Sequence, residues 1–274
     1  MKIVIPTYLR EDNQRCLANM PDKIKKKTIL FTHSGRAGIL KKNNPGIEVV
    51  DLKKTNGIAD VRQQVINWCF EEGMKRVFMA DDGCIFYTSW REGDKRKISP
   101  TNFRGEKSID DWEAMLSRVN SLLKEFPQVG ISPRPGNNRQ LKDIHSPGRV
   151  YSCFGLNLKK IYTVGATFDG MYQKDHKVKL FEDFYFTLYL LTRGIPNAVL
   201  YEYGFMHDHG KTGGNSQIRN NKLQKRCIEA LIKEFPEYVT LYQRDAKSWG
   251  VGKEDFRWEC RIQWKKAYEQ RINA

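Results

Sequence analysis

Four apolar runs alternate with polar, helix-like segments in the N-terminal third of the chain. The runs are KIVIP, TILFT, IEVVDL and RVFMA. Between the last two, Ile58, Val61, Val65 and Cys69 recur at helical spacing, and Gly73 follows as a stop signal. Alternation of this kind is typical of a sheet built from βαβ units. The sequence therefore predicts an α/β protein, and 274 residues suffice to bury a large core.

The remaining segments extend this pattern and predict two polar loops. YTSWREGDKRKISPTNFRGEK is rich in turn formers and basic residues, which predicts an exposed loop, and PRPGNNRQLKDIHSPGR has almost nothing apolar to bury, which predicts a mobile flap. Helices are expected at DDWEAMLSRVNSLLKEF and EDFYFTLYLLTRG, and strands at QVGIS, RVYSCFGLNL and NAVLYEYGF. We expect one core over residues 1–216, and a mostly helical C-terminal extension, residues 217–274, packed on it.

Composition narrows the partners that the chain can have. Lys and Arg number 47 against 32 Asp and Glu, and the formal charge of +15 favours an acidic partner such as a nucleic acid, a nucleotide or an anionic surface. No run of about 18 apolar residues predicts a membrane span, and the polar N-terminus predicts a cytoplasmic protein. The six cysteines lack the spacing of a metal site, so free thiols are expected.

Two adjacent carboxylates, Asp81 and Asp82, follow directly after the strand-like run RVFMA. Open α/β sheets bind ligands at the carboxyl ends of their strands. Hard divalent ions such as Mg²⁺ or Mn²⁺ take oxygen ligands from a few carboxylates together with substrate phosphates. The pair therefore predicts a site for a metal–diphosphate complex. The alternative is an Asp-Gly turn with solvated acids.

The order of these segments resembles the GT-A fold of nucleotide-sugar glycosyltransferases, in which a DxD-type acidic motif follows the fourth strand. The resemblance reaches from Lys2 to about Ser216. It implies a Rossmann-like mixed central sheet flanked by helices, a nucleotide-sugar donor such as a UDP-sugar, and a divalent metal. A reading that starts the motif at Asp81 meets Gly83 where the second acid is expected, whereas the shifted reading loses the first acid. Asp82 is present in both readings.

The resemblance also implies a nucleotide site at the end of the first strand. IPTYLR supplies Pro6, Thr7, Tyr8 and Arg10. Tyr8 could stack on a uracil, and the forked donors of Arg10 could bind phosphate oxygens. Arg62 on the following helix resembles the arginine that this family places near the nucleotide. The alternatives are a turn with surface side chains and an ordinary exposed helix residue.

A histidine that follows the last strand completes the metal site in many GT-A enzymes. FMHDHGKTGGNS offers His207 and His209 for that position, and neutral imidazole is an acceptable ligand for Mn²⁺. Lys211, with the backbone amides of Gly213 and Gly214, could hold the diphosphate as it leaves. Together with Asp81 and Asp82, these residues form the expected metal and donor site.

An acidic pair, Glu182 and Asp183, opens the late apolar helix. In inverting members of the fold, the aspartate at this position removes the proton from the acceptor hydroxyl, so the resemblance makes Asp183 the expected general base with Glu182 beside it. Such a base must reach the hydroxyl in a partly desolvated site. The alternative is that both acids simply favour the positive end of a helix dipole.

Basic residues concentrate in the two predicted loops and suggest contact with nucleic acid. Aromatic and histidine side chains are interleaved with them for stacking on bases, namely Trp90, Phe103 and His145. The alternative is ordinary solvated charge. The basic residues are Arg91, Lys95, Arg96, Lys97, Arg104 and Lys107 in the first loop and Arg134, Arg139, Lys142 and Arg149 in the second.

The motifs MADDG, FEDFYFTLYL and HDHGKTGGNS together resemble the phage enzymes that glycosylate hydroxymethylated pyrimidines in DNA, which include TET-associated glycosyltransferases and DNA arabinosyltransferases. The resemblance implies transfer of a sugar from a UDP-sugar to a hydroxymethyl group, with inversion. Two alternatives stay open. The acceptor could be a protein, lipid or glycan, or the chain could be an inactive nucleic-acid-binding module that keeps the fold.

Overall fold

A central mixed sheet organises the protein in a computed structural model, which describes residues 1–55, 57–134, 140–207, 220–245 and 256–272. Within these described ranges, ten strands form this sheet and two further strands form a separate hairpin. The strands are β1 (Lys2–Pro6), β2 (Thr28–His33), β3 (Glu48–Leu52), β4 (Arg76–Ala80), β5 (Cys84–Glu92), β6 (Lys95–Ile98), β7 (Gln128–Pro133), β8 (Ile144–His145), β9 (Cys153–Asn157), β10 (Ala198–His207), β11 (Val239–Asp245) and β12 (Phe256–Ile262).

Helices connect and cover these strands. None of the helices in the described ranges is both long and apolar enough to cross a membrane. They are α1 (Arg15–Ala18), α2 (Asp22–Lys25), α3 (Ala37–Asn43), α4 (Ile58–Glu71), α5 (Ile109–Leu122), α6 (Leu158–Val164), α7 (Gly170–Lys174), α8 (Glu182–Leu191), α9 (Asn221–Glu234) and α10 (Trp264–Ile272), with a 3₁₀ turn at Gly105–Ser108.

The strand order of the sheet is β3-β2-β1-β4-β9-β7-β10-β5-β6, and β8 pairs with β10 outside this path. β3, β2, β1 and β4 run parallel, whereas β9 is antiparallel to both of its neighbours, β4 and β7. β1, β2 and β4 are buried along almost their whole length, as expected for parallel strands covered on both faces. The predicted α/β architecture, a mixed central sheet flanked by helices, is confirmed.

Two hydrophobic clusters occupy the opposite faces of the sheet. Ile3 and Ile5 of β1 join a cluster that contains Trp112 of α5, while Val4 of the same strand joins a cluster that contains Val65 of α4. Because successive side chains of a strand point to opposite faces, one strand contributes to both clusters. This packing holds the carboxyl ends of β1 and β4 beside each other, on the side of the sheet where the parallel strands end.

Both predicted loops contain strands. The expected exposed loop after the acidic pair forms the antiparallel hairpin β5–β6, in which Trp90 pairs with Lys97. The turn-forming and charged residues of this segment lie on strands that extend beyond the core. Polarity alone therefore did not distinguish an exposed hairpin from a loop. In the second region, residues 135–139 lie outside the described residues, and β8 pairs with β10 further along.

The C-terminal segment was expected to be mostly helical, and this expectation is wrong for the part between α9 and α10. β11 and β12 form an antiparallel hairpin there. In β12, Phe256, Trp258, Cys260 and Ile262 alternate with charged residues, which is the period-two pattern of a strand. Apolar side chains of α8, α9, β11 and α10 share one cluster, so the segment packs against the helix that begins with Glu182.

Candidate active site

The acidic pair lies where the sequence predicted, in the turn after β4. The backbone N–H of Asp81 donates to the Ser152 carbonyl over 2.9 Å, and the N–H of Cys84 donates to the Asp81 carbonyl over 3.1 Å. β5 then pairs with β10 so that Cys84 lies opposite His207. This register brings His207 to the acidic turn, with its Nε2 3.5 Å from Oδ2 of Asp81.

Asp82 is held by side chains of the turn after β1. Thr7 Oγ1 donates to Asp82 Oδ2 over 3.0 Å, and Arg10 Nη1 donates to Asp82 Oδ1 over 2.8 Å. Gln14 Nε2 supports this arrangement by donating to Thr7 Oγ1 over 2.7 Å. The Asp82 side chain is only 8% exposed. Both of its oxygens are therefore engaged by protein donors, and its role here is to join the first and fourth strand ends.

Arg62 of α4 links the acidic turn to the start of α8. Its Nη2 donates to Asp81 Oδ1 over 2.7 Å, and its Nη1 donates to Glu182 Oε1 over 2.7 Å. The same Nη1 lies 3.8 Å from Oδ2 of Asp183. The Arg62 side chain is 3% exposed, so its charge is compensated almost entirely by these carboxylates. One buried cation therefore holds three acids from two distant parts of the sequence.

Burial and Arg62 shift the pKa values of these carboxyl groups in different directions. Burial alone would raise the pKa of Asp81, but Arg62 and the hydrogen bond with His207 outweigh it and hold this pKa well below its usual value. Burial raises the pKa of Glu182 to about 7 against the opposing effect of Arg62. Burial also raises the pKa of Asp183, again against Arg62. Asp81 therefore stays ionised, and the pair on α8 becomes more basic.

The two acids of α8 differ in accessibility. The Glu182 side chain is 7% exposed and directed at Arg62, whereas the Asp183 side chain is 17% exposed. The N–H of Phe184 donates to Asp183 Oδ1 over 2.9 Å, which fixes that carboxylate at the first turn of the helix. Asp183 is thus the acid that a substrate could reach, and Glu182 positions the arginine.

Three residues with strained backbone surround these acids. Leu9, Ser152 and Phe181 have φ values of 58°, 58° and 67°, in the left-handed region that residues other than glycine seldom adopt. Leu9 lies in the turn that holds Asp82, Ser152 accepts from Asp81, and Phe181 precedes the acidic pair of α8. Strain of this kind concentrates at functional sites, where surrounding contacts maintain it.

The side chains near the acidic turn could bind a divalent ion with few protein ligands. Oδ2 of Asp81 faces Nε2 of His207, while both oxygens of Asp82 are already bound. Within the described ranges no group of three or more His, Cys, Asp or Glu forms a metal cluster. The Asp81 carboxylate matches the way Mg²⁺ binds through one or two carboxylates plus substrate phosphates. His209 and Lys211 lie outside the described residues.

The two acids of the turn, both expected as metal ligands, have different partners. Thr7 and Arg10 bind the oxygens of Asp82, whereas Arg62 and His207 lie at the oxygens of Asp81, and metal binding by either acid stays a prediction. Arg62 is buried against carboxylates, which contradicts the alternative of an exposed helix residue, and its place near the nucleotide stays a prediction. Arg10, expected to bind a phosphate, binds Asp82 through its Nη1 in the structure. These pairings were hidden from sequence reasoning because the partners are distant from one another along the chain.

The expected nucleotide residues divide into buried and exposed groups. Pro6 and Thr7 are buried, so they shape the turn. Tyr8 is 36% exposed, and its ring stacks on His33 with centroids 4.2 Å apart. Sequence reasoning missed His33, which ends β2 next to β1. The only available signal was its position at the carboxyl end of a predicted strand.

The basic residues are partly exposed and partly structural. Arg96 was expected to contact nucleic acid, but it is 3% exposed and donates to the carbonyls of Gln140, Leu141 and Tyr201. Phe103, expected to stack on bases, is buried in the core. Arg134 is partly buried with its guanidinium over Tyr87, and Arg139 lies outside the described residues. The exposed ones are Arg91, Lys95, Lys97, Arg104, Lys107, Lys142 and Arg149.

The sequence matches the TET-associated glycosyltransferase family over residues 1–215, most of the chain. The chain therefore belongs to this family and is a nucleotide-sugar glycosyltransferase. A comparison with curated proteins finds no match.

Solved structures resemble the chain weakly. A fragment of S. aureus TarS in complex with UDP-GlcNAc is 9% identical, with a TM-score of 0.46, over 85% of this chain and 67% of that one. A structure titled mannose-1-phosphate geranyltransferase from Thermus thermophilus is 8% identical, with a TM-score of 0.38, over 75% of each chain. At TM-scores this low, neither similarity bears on the substrate or on any residue role.

Removal of Arg62 should destabilise the protein strongly. Arg62→Met leaves Asp81 and Glu182 buried without their cation, and breaking a buried ion pair in this way costs about 3–5 kcal/mol. Urea unfolding in metal-free buffer measures the loss. Arg226→Met is the matched control, because Arg226 forms an exposed pair with Asp175 and its loss should barely move the unfolding midpoint. Equal effects of the two substitutions would contradict the assigned role of Arg62.

Proposed function

We propose that the protein transfers a sugar from a UDP-sugar to the hydroxymethyl group of a modified pyrimidine in DNA, with inversion at the anomeric carbon and Asp183 as the general base. The observation that carries this proposal is the junction at Arg62. It holds Asp183 within 3.8 Å of the same guanidinium that binds Asp81. A carboxylate for the acceptor and a carboxylate for the donor are thereby held at one place.

The donor half of the site is the edge formed by the ends of β1, β2 and β4. Tyr8 and His33 offer stacked rings for a base, and Asp81 with His207 offers a carboxylate and an imidazole. Asp81 and His207 would hold Mn²⁺ or Mg²⁺. The ion supplies charge compensation for a leaving diphosphate when it is bound. Lys211, which lies outside the described residues, stays a predicted contact of that diphosphate.

The acceptor half is built around Asp183. Its raised pKa makes this carboxylate a stronger base than an exposed aspartate, and its side chain is open to solvent on one side. In the proposed step, Asp183 takes the hydroxyl proton as the hydroxymethyl oxygen forms a bond to the anomeric carbon. The bond from that carbon to the phosphate oxygen breaks, and its electron pair leaves with UDP. Glu182 keeps Arg62 in position beside this base.

The DNA acceptor is supported by charge and by family. The chain carries a formal charge of +15, and a family of TET-associated enzymes is expected to act where bases are oxidised to hydroxymethyl forms. Exposed cations on the β5–β6 hairpin, Arg91, Lys95 and Lys97, could follow a phosphate backbone. In a duplex, the target base would leave the stack to reach a buried carboxylate.

Asp183→Asn should abolish transfer without loss of donor binding. The amide cannot accept the hydroxyl proton, and general-base catalysis contributes about 10²- to 10⁴-fold in rate. Transfer of labelled sugar to hydroxymethylated DNA and calorimetric titration of UDP measure the two properties separately. Asp175→Asn, the same change at an exposed aspartate, is the control and should leave both unchanged. Normal turnover by Asp183→Asn would refute the assignment of the base.

The two aspartates of the turn should differ in their effect on metal binding. Asp81→Asn and His207→Gln each remove a proposed ligand, and they should raise the Mn²⁺ concentration for half-saturation by at least about tenfold, since loss of even outer partners costs that much. Asp82→Asn should leave Mn²⁺ binding nearly unchanged, because Thr7 and Arg10 already occupy its oxygens.

Electron paramagnetic resonance of free Mn²⁺ in the presence of UDP gives these affinities without reliance on catalysis. If Asp82→Asn weakened Mn²⁺ binding more than Asp81→Asn, the assignment of Asp81 as the metal ligand would be wrong and Asp82 would take its place.

A further inference from the structure

A cavity of about 870 Å³ lies between the segment before β9 and the first turn of α10. Its lining includes aromatic and basic side chains from distant parts of the chain, among them Arg149, Tyr201, Trp264, Lys265 and Lys266. Three of these five residues belong to the C-terminal segment, beyond the residues 1–215 that match the family. The cavity is therefore partly built by a segment that the family match does not cover.

Two lining residues of the cavity contact Phe184, which belongs with Asp183 to the first turn of α8. The ring of Trp264 packs edge-on against Phe184, with centroids 5.5 Å apart. The guanidinium of Arg149 lies over the same ring at 4.9 Å and over Tyr151 at 4.4 Å. Since Phe184 directly follows Asp183, two lining residues of the cavity contact the neighbour of the proposed base. Arg149 also acts electrostatically on Asp183, so a ligand bound at Arg149 would lie near the acceptor half of the proposed site.

The charge of the lining is mainly basic. Arg149 is exposed, its guanidinium is oriented by the two aromatic rings, and its charge lowers the pKa of Asp183 against the effect of burial. Lys266 is exposed, its Nζ donates to the carbonyl of Glu237, and no ion pair with a carboxylate of the described ranges is seen for it. Lys265 pairs with Glu269 over 3.4 Å on the exposed helix surface. Two cations are thus available to an anionic ligand.

The other lining groups suit a nucleic acid strand better than a simple anion. Tyr201, Trp264 and His145 provide rings on which bases can stack, and base–aromatic stacking accompanies phosphate contacts in proteins that bind single strands. Gln263 and Gln270 add amides that can hydrogen-bond to base edges or sugars. A lipid or an apolar peptide would leave this many polar groups without partners.

We propose that this cavity binds the acceptor DNA strand, with Arg149 and Lys266 holding phosphates beside the nucleotide whose hydroxymethyl group reaches Asp183. The inference rests on the proposed function and adds the position of the acceptor. The C-terminal segment thereby becomes part of the acceptor site, and its first helical turn carries the recognition groups. Stacking on Tyr151 and Phe184 orients the Arg149 guanidinium before the strand arrives.

The test compares DNA binding by two doubly substituted proteins of equal charge. Arg149→Ala with Lys266→Ala removes both proposed phosphate contacts. Lys41→Ala with Lys42→Ala removes two exposed cations from α3, which packs at the far edge of the sheet near β3 and β2. Binding of a fluorescent oligonucleotide that contains 5-hydroxymethylcytosine is followed by anisotropy over a series of salt concentrations. UDP affinity is measured for each protein.

We expect the cavity variant to bind DNA at least about tenfold more weakly than the α3 variant, with a slope of log affinity against log salt that is smaller by about two, as for two lost phosphate contacts. UDP affinity should be unchanged in both. Lys266→Ala alone, at an exposed position, gives the same comparison with half the slope change if the double variant fails to fold.

Two failures can be told apart. If the unmodified protein binds and glycosylates the DNA but the cavity and α3 variants bind it equally well, the acceptor site lies elsewhere and only this inference falls. If the unmodified protein neither binds nor glycosylates hydroxymethylated DNA while it transfers sugar to another acceptor, the proposed function falls as well.

Discussion

The buried guanidinium of Arg62 is the interaction on which the site depends. A charge that is 3% exposed is stable only with partners, and the partners come from the turn after β4 and from the first turn of α8. These two segments lie far apart in the sequence, with β5 to β9 between them. Their meeting at one side chain fixes the distance between Asp81 and Asp183, the acids that the proposed function assigns to the donor and to the acceptor. The sheet and its two hydrophobic faces serve to hold this junction.

The two aspartates of the turn have separate tasks because different cations compensate them. Arg10 and Thr7 bind both oxygens of Asp82 and join the first and fourth strands, whereas Arg62 binds one oxygen of Asp81 and leaves the other towards His207. In the proposed metal site, His207 at the end of β10 would take the place of the second acid of a DxD motif, where this chain has Gly83. The register of β10 with β5 brings His207 to the turn.

The strands, the apolar helices and the position of the acids were predictable, because burial periodicity and strand ends depend on local sequence. Pairings were not. Arg96 was predicted to be an exposed cation of a loop. Because side chains alternate between the two faces of the β5–β6 hairpin, Arg96 instead points inward and binds carbonyls near Gln140. Arg62 was expected near the nucleotide or exposed on its helix, and its pairing with carboxylates was not foreseen because those partners lie far away in the sequence. The β11–β12 hairpin shows the opposite case, since the alternation of Phe256 to Ile262 was present in the sequence.

The most direct test of the proposed function is the nucleoside composition of DNA after reaction. DNA that contains 5-hydroxymethylcytosine, and a matched DNA that contains cytosine, are incubated with a panel of UDP-sugars and Mn²⁺, digested to nucleosides and analysed by mass spectrometry. The proposed function predicts a hexosyl or pentosyl adduct on the hydroxymethylated nucleoside alone. Transfer to a peptide, lipid or glycan acceptor with unmodified nucleosides in both DNA samples would contradict it.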